Sequence, residues 1–377
     1  MPTPQIKLNR DTRTALVLAV TGLMFLINLI SFPKYWSADR SFPNVPLFRF
    51  LTDVPSFVHL IIFYILILSS TLLILKCRSR RAGFILPLIL AFSFSWFLDV
   101  LRLQPQFYLA LVFLVLIAFD KGILNLQRVI ILVYFWAGLQ KLSFAWAEKF
   151  FPVYLKQLSF FANFEHIPLF FGIMAALFEC SIAFLLFFRA TRIGGVYAAT
   201  FLHLFILLLL GPLTMNWEPF VWSWNVWMIA VVWLLFYKKN EALKLFKGGF
   251  LGLLVSFLFI LAPFGSYFGT WNDYLAFRFY SATARAGHIV YPQDSPYKEH
   301  SVFKDFPYKK NGVSIDGWGY SETGANNFPS DWYFKDLFWQ VCQKMKIKSG
   351  QPDFKLRIHK VEGFWKLKAV KTETTCE

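Results

Sequence analysis

The sequence predicts an all-α polytopic membrane protein of about nine transmembrane helices, with a small C-terminal extracytoplasmic α+β region. Three observations carry this expectation. Of the 377 residues, 57% are hydrophobic, 20% aromatic and only 16% charged, whereas a soluble globule is about a quarter charged. The apolar residues fall in blocks of roughly 15–20, close to the length that crosses a bilayer. The short loops between blocks are alternately basic and poor in lysine and arginine.

The expected spans are 14–31, 57–76, 83–98, 107–120, 129–146, 168–188, 193–212, 219–237 and 249–265. The first apolar run lacks a small-residue cleavage site and reads as a signal anchor. Lys7, Arg10 and Arg13 precede it. The loops on the same side hold Lys76, Arg78, Arg80 and Arg81, then Lys121 and Arg128, then Arg189 and Arg192, then Lys238, Lys239, Lys244 and Lys247. The intervening loops hold fewer cations: Lys34, Arg40, Arg49, Arg102, Lys149 and Lys156. The positive-inside rule therefore places the amino terminus in the cytoplasm, and an odd number of spans places the tail outside. A bacterial inner membrane is the expected location, and the absence of an Asn-x-Ser/Thr sequon is compatible with it. The net charge of +16 is thus largely topology, with the lipid bilayer as the first partner and no nucleic acid.

The chain divides into a membrane domain, 1–265, and a C-terminal region, 266–377. Residues 147–167 look like an amphipathic segment at the outer interface. Trp217, Trp222, Trp224 and Trp227 read most simply as an aromatic belt. In the tail, "AGHIVYP" (286–292) predicts a strand. "PSDWYFKDLFWQVCQKMK" predicts a helix with Ser330 at its N-cap. "FKLRIHKVEGFWKLKAVK" predicts a hairpin around Glu362-Gly363. Four cysteines, none in a Cys-x-x-Cys pair, argue against redox catalysis and structural zinc, and no metal is expected. Cys77 falls in a cytoplasmic loop and Cys180 in mid-membrane. Cys342 and Cys376 share the tail and are positioned to pair if geometry permits.

Three ionisable residues interrupt the apolar spans: Lys141 in "YFWAGLQKLSFAW", Glu179 in "ALFECSIAFLLFF" and His203 in "TFLHLFILLLLGPL". A charge in hydrocarbon costs at least a few kcal/mol, so each needs a reason. The bland reasons are snorkelling for Lys141, helix pairing for Glu179 and a packed, hydrogen-bonded imidazole for His203. Helix geometry weighs against snorkelling. Side chains lean towards the helix amino terminus, so Lys141, near the outer end of its span, leans back into the membrane over Ala137 and Gly138, with Tyr134 one turn further down. Those small residues either admit a neighbouring helix or leave room for a ligand beside the amine. Desolvation would make Lys141 a usable general base, whereas a close pair with Glu179 would keep the proton on the amine.

"YFWAGLQKLSFAW" resembles the "YF-x-AG-x-KKL-x-x-x-W" segment of the vitamin K-dependent γ-glutamyl carboxylases and their bacterial relatives, the HTTM (horizontally transferred transmembrane) family. "LFECSIAFLLFFRATRIGGVYAATFLH" is similar to their acid-containing span, basic turn and "SYFH" span. "FILAPFGSYFGTWNDY" is similar to their last membrane segment, and the order holds over about residues 50–290. The resemblance implies that Lys141 stands at the catalytic lysine, which deprotonates a reduced quinone of the vitamin K or menaquinol type on the outer side. The oxygenated quinone then removes a γ-proton from a glutamate of a secreted protein, and carbon dioxide adds. Gln140 stands at the first lysine of the pair, Glu179 at an aspartate and His203 at the histidine. Where the family reads "LDKTSWNNHSYL", this chain reads "LDVLRLQPQFYL", so Gln106 replaces a histidine assigned to the carbanion step. Glutamine is neither an acid nor a cation, so of what the resemblance implies, glutamate carboxylation itself is the part this departure weakens.

Two function classes follow. In the first, an enzyme of carboxylase-like (lyase) type uses Lys141 as a base towards a quinol or other apolar ligand, with Gln140, Glu179, His203 and Tyr134 around it. In the second, a non-enzymatic membrane binding, immunity or export-accessory protein retains the fold. A transporter ranks third, since no internal repeat is visible.

Overall fold

The computed structural model describes residues 10–75, 82–119, 123–217, 219–239, 241–243, 250–278, 281, 285–293, 295, 301–309, 311–362 and 368–376. The nine expected spans are all helical: α1 (Arg10–Ser31), α2 (Ser56–Leu75), α3 (Ala82–Leu98), α4 (Pro105–Phe119), α5 (Ile123–Lys141), α6 (Leu169–Phe187), α7 (Arg192–Leu210), α8 (Pro219–Phe236) and α9 (Phe250–Gly265). Among the described residues, six of them, α1, α2, α5, α6, α7 and α8, are long and apolar enough to cross a membrane, while the other three are shorter apolar helices. The fifth span is shifted from its expected place. It begins at Ile123 and stops at Lys141, not 146, because Ser143 turns the chain: its N–H donates to Lys141 O (2.7 Å) and its hydroxyl accepts from Trp146 N (3.2 Å).

Helix α5 is the hub. Its apolar window is 83% buried, against 33–56% for the other long helices. A helix enclosed by protein can carry polar side chains that lipid would not tolerate, and α5 carries buried Asn125, Gln127, Arg128, Gln140 and Lys141. The less buried helices expose Leu60, Tyr64 and Leu68 on α2 and Tyr197, Phe201 and Leu204 on α7 at helical spacing.

Two of the basic residues read as topology signals also close helix ends. Arg13 donates to Leu234 O and Tyr237 O at the C-terminal end of α8. Arg192 donates to Leu186 O and Phe187 O at the end of α6, and to Lys239 O and Glu241 O beyond α8. A guanidinium there satisfies the carbonyls a helix end leaves free and suits the negative end of the helix dipole. Lys7, Lys76, Cys77, Arg78, Arg80, Arg81, Lys121, Lys244 and Lys247 lie outside the described residues.

The loops at the opposite end are tied together and to the tail. Arg40 pairs with buried Asp99, and Arg102 donates to Trp36 O (2.7 Å). Arg102 also meets His59 Nδ1 at 3.0 Å, and burial beside Arg40 lowers the guanidinium to about 10. Gln104 donates to Asn326 O, Gln340 to Asn44 O, and Trp318 stacks edge-on against Phe42.

The tail builds a four-stranded antiparallel sheet in the order β2-β1-β3-β4, from β1 (Ala286–Val290), β2 (Gly312–Ser314), β3 (Lys355–Glu362) and β4 (Lys368–Thr375). The β3–β4 hairpin is as expected, with Glu362 opposite Lys368; Gly363 lies outside the described residues. Two helices pack on the sheet, α10 (Ile315–Thr323) and α11 (Asp331–Lys344). Helix α10 went unread in the sequence, although Ser314 caps it through Gly317 N and Gly324 closes it in the left-handed region (φ 72°). Ser330 precedes α11 as expected, but its hydroxyl makes no cap bond, and first-turn Asp331 binds Arg285 instead. Cys342 and Cys376 form a disulfide that ties α11 to the end of β4.

One of the two expectations for this end needs correction. The segment 147–167 is built from a π-helical turn (Trp146–Phe150) and two short helices (Phe151–Leu155 and Ser159–Ala162), with Tyr154, Leu155 and Ile167 buried and Val153, Phe160 and Phe164 exposed. The four tryptophans are not all a belt. Trp227 is buried with its indole N–H on Thr21 Oγ1 (3.1 Å), and Trp224 is buried against a cavity.

Candidate functional site

Lys141 is the last residue of α5, and what faces it is α6. Gly138 explains how closely the two helices approach. A Cβ at that position would lie 2.3 Å from Cys180 N and 2.8 Å from Ala176 O, so only glycine lets α6 come this near. The small-residue patch under the lysine therefore serves helix approach. One turn on, Lys141 Nζ meets Glu179 Oε2 at 2.5 Å, with the two side chains 8% and 10% exposed. The Lys141 ammonium also lies 5.6 Å from the centre of the Trp146 ring. The π-helical turn delivers Trp146 to this place, and its indole N–H is fixed on Gly172 O (3.2 Å).

Beside the ion pair runs a second polar chain. Tyr134 OH and His203 Nε2 are 2.6 Å apart, and His203 Nδ1 and Asn225 Oδ1 are 2.7 Å apart. Asn225 Nδ2 donates to Val221 O (2.7 Å), which leaves its oxygen to accept. His203 therefore carries its proton on Nδ1 and accepts from Tyr134 on Nε2. The chain spans α5, α7 and α8, and each of its members is buried.

A cavity of about 360 Å³ opens on the ion pair. Its walls are apolar, led by Phe178, Phe201, Phe205 and Leu209, with Trp146 and Tyr154 at the side. Lys141 and Glu179 are the charged residues of its lining. Such a space, apolar except for one paired charge, suits an apolar ligand with a polar group at one end.

The structure brings Lys141 and Glu179 together at this cavity and sets Tyr134 and His203 in the adjoining polar chain. Gln140 points elsewhere: its amide donates to Ser266 Oγ (3.0 Å) and ties α5 to the end of α9. Gln106, at the start of α4, lines a separate cavity on the tail side. Sequence reasoning missed Trp146, Tyr154 and Asn225. The Trp146 signal was present in the spacing from Lys141, but the intervening turn at Ser143 was not read. Asn225 sits among tryptophans that masked it.

Compared with known proteins, the chain matches no family profile, no curated protein and no solved structure.

Proposed function

We propose that this chain is an integral membrane protein with a carboxylase-like core of the HTTM type, and that the cavity beside Lys141 receives an apolar ligand of the reduced-quinone class. The observation that carries the reading is the Lys141–Glu179 pair, buried at the polar end of an otherwise apolar cavity. The "YFWAGLQKL" motif supports it, since the lysine it singles out is the one that reaches the cavity.

The chemistry belongs to the pair. With a phenolic hydroxyl displacing the direct Lys141–Glu179 contact, Glu179 accepts the hydroxyl proton and Lys141 holds the oxygen left behind by charge and hydrogen bond. A quinol would supply the acidic hydroxyl and an apolar body to fill the cavity. His203, held in one tautomer by Asn225, and Tyr134, bonded to its Nε2, keep the wall beside the pair fixed.

The orientation that fits places the amino terminus in the cytoplasm, gives nine crossings and puts the tail outside a bacterial inner membrane. The alternation of basic loops supports this. So does the tail disulfide, which persists in oxidising compartments.

A second reading is favoured by one observation: Lys141 and Glu179 already satisfy each other without a ligand. On that reading the protein binds an apolar molecule without turning it over. The test uses purified, detergent-folded protein and menaquinol, comparing wild type with Lys141→Ala and Lys141→Arg. Loss of binding in the alanine variant, with partial retention in the arginine variant, is the expected result. Binding unchanged in both overturns the site. Binding by the wild type without oxygen-dependent turnover selects the second reading.

A further inference from the structure

The tail and the membrane domain enclose a second cavity, also of about 360 Å³ and separate in character from the first. Its wall is polar. Arg285 donates to Asp273 (2.9 Å) and Asp331 (2.7 Å), and Arg278 lies 3.8 Å from Asp273. Two guanidiniums are thus matched by two carboxylates. Asp316 adds a third acid, but Asn327 donates to its Oδ1 (3.0 Å) and the Gly287 N–H to its Oδ2 (3.1 Å). Burial pushes that carboxyl up to about 6. Each charge on the wall has an opposite charge near it within the protein, although the buried Arg278 Nε makes no hydrogen bond.

The wall also leaves the side chain of Gln106 unanswered. The residue is 3% exposed and lines the cavity, yet no hydrogen bond from another described residue reaches its side-chain amide. Buried polar groups are satisfied in the great majority of cases, and one left over in a cavity wall marks a partner from outside the chain. A carboxamide offers two donors and an acceptor, which matches neither an ion nor a hydrocarbon. It matches a hydroxyl pair or another amide. The opposite wall is aromatic: Tyr154 and Trp217 stack with ring centres 6.2 Å apart, and Trp224 continues the surface. Flat aromatic faces beside carboxamides suit a ring with apolar C–H faces and polar edges.

We infer that this cavity is a second ligand site, built for a neutral sugar of the N-acetylated amino-sugar class, with the Gln106 carboxamide as its recognition group. The acetamido group presents one N–H and one C=O, the complement of the glutamine amide. The ring hydroxyls then face Gln104, whose amide nitrogen donates to Leu101 O and Asn326 O and whose oxygen is left to accept, and one ring face lies on Tyr154 and Trp217.

The test uses the full chain in phosphatidylcholine/phosphatidylglycerol nanodiscs. N-acetylglucosamine, its octyl glycoside, acetate and tetramethylammonium are compared by saturation-transfer NMR. Binding of the sugar but not of the two ions is expected. A response to the octyl glycoside alone identifies a lipid-linked headgroup as the source, and a response to both identifies the free sugar. Gln106→Leu should weaken sugar binding about tenfold through loss of two hydrogen bonds. Its unfolding temperature should be no lower than wild type, because no protein hydrogen bond is removed. The inference is overturned if neither sugar form binds, if an ion binds in preference, if Gln106→Leu binds as wild type does, or if that variant is strongly destabilised.

Discussion

Lys141 ends α5 and Glu179 sits in the middle of α6, and their charged atoms meet at 2.5 Å inside the protein. The relationship depends on a third position. Gly138 sets the distance between the helices, and the lysine three residues later reaches the carboxylate because the backbones are already close. Packing thus comes first, and the site is its consequence.

Removing one charge should therefore cost far more than removing both. Lys141→Met leaves a buried carboxylate and Glu179→Gln a buried ammonium, and breaking a buried pair this way costs about 3–5 kcal/mol. The double variant Lys141→Met/Glu179→Leu should recover most of that loss, since a packed apolar pair is often neutral. Unfolding in detergent, read by tryptophan fluorescence, gives the three values. Singles no worse than the double would mean the pair is not buried as described.

Gly138→Ala tests the approach of α6 directly. The new methyl meets backbone, not a side chain that can move aside, and overpacking of this kind costs about 1–3 kcal/mol. Gly194→Ala on α7 is the control, because nothing lies within 4 Å of the added methyl; helix propensity there favours alanine by about 0.5–1 kcal/mol. The expected signature is opposite signs at two helical glycines. Equal effects would remove the close approach as the explanation for Gly138.

The membrane helices were legible because composition and blockwise hydropathy depend on the solvent, not on tertiary detail. Lys141, Glu179 and His203 were legible for the same reason, as charges out of place in lipid. Their partners were not. Nothing local in "FVWSWNVW" says that Asn225 holds His203, and only the packing of α7 on α8 makes that contact. The end of α5 was misplaced by five residues because apolar residues continue past Lys141, while the chain turns at Ser143 through hydrogen bonds that hydropathy does not register. Helix α10 was lost to its short length and weak apolar periodicity, although Ser314 and Gly324 marked both ends.

The tautomer of His203 gives a third expectation. Tyr134→Phe removes the donor to Nε2 and leaves a buried acceptor unpaired, at about 1–3 kcal/mol. Asn225→Leu strands the Nδ1 proton at a similar cost. Because both act on one ring, the double variant should cost less than the sum of the two, and a double-mutant cycle in the thermal unfolding measures the coupling. Strict additivity would show that the three residues do not form one chain.

The tail carries two titrations that oppose each other. Burial raises Asp316 from 3.8 to about 6 and lowers His288 from 6.5 to about 4, the latter assisted by His359, Arg357 and Lys309 around it. For Asp316 the folded state holds the proton longer, so its contribution is fully present below the unfolded value and is lost as pH rises from about 4 to about 6. For His288 the folded state releases the proton sooner, so its contribution is present above the unfolded value and is lost as pH falls from about 6.5 to about 4. Over the shared window the slopes are of opposite sign and largely cancel. Asp316→Asn should uncover a tail that loosens on acidification, and His288→Phe, which keeps the stack on Tyr308, should uncover one that tightens. Amide hydrogen exchange of β1, β3 and α11 at pH 4.5, 5.5 and 6.5 reads both. A wild-type slope as steep as either variant's would mean the two groups do not offset each other.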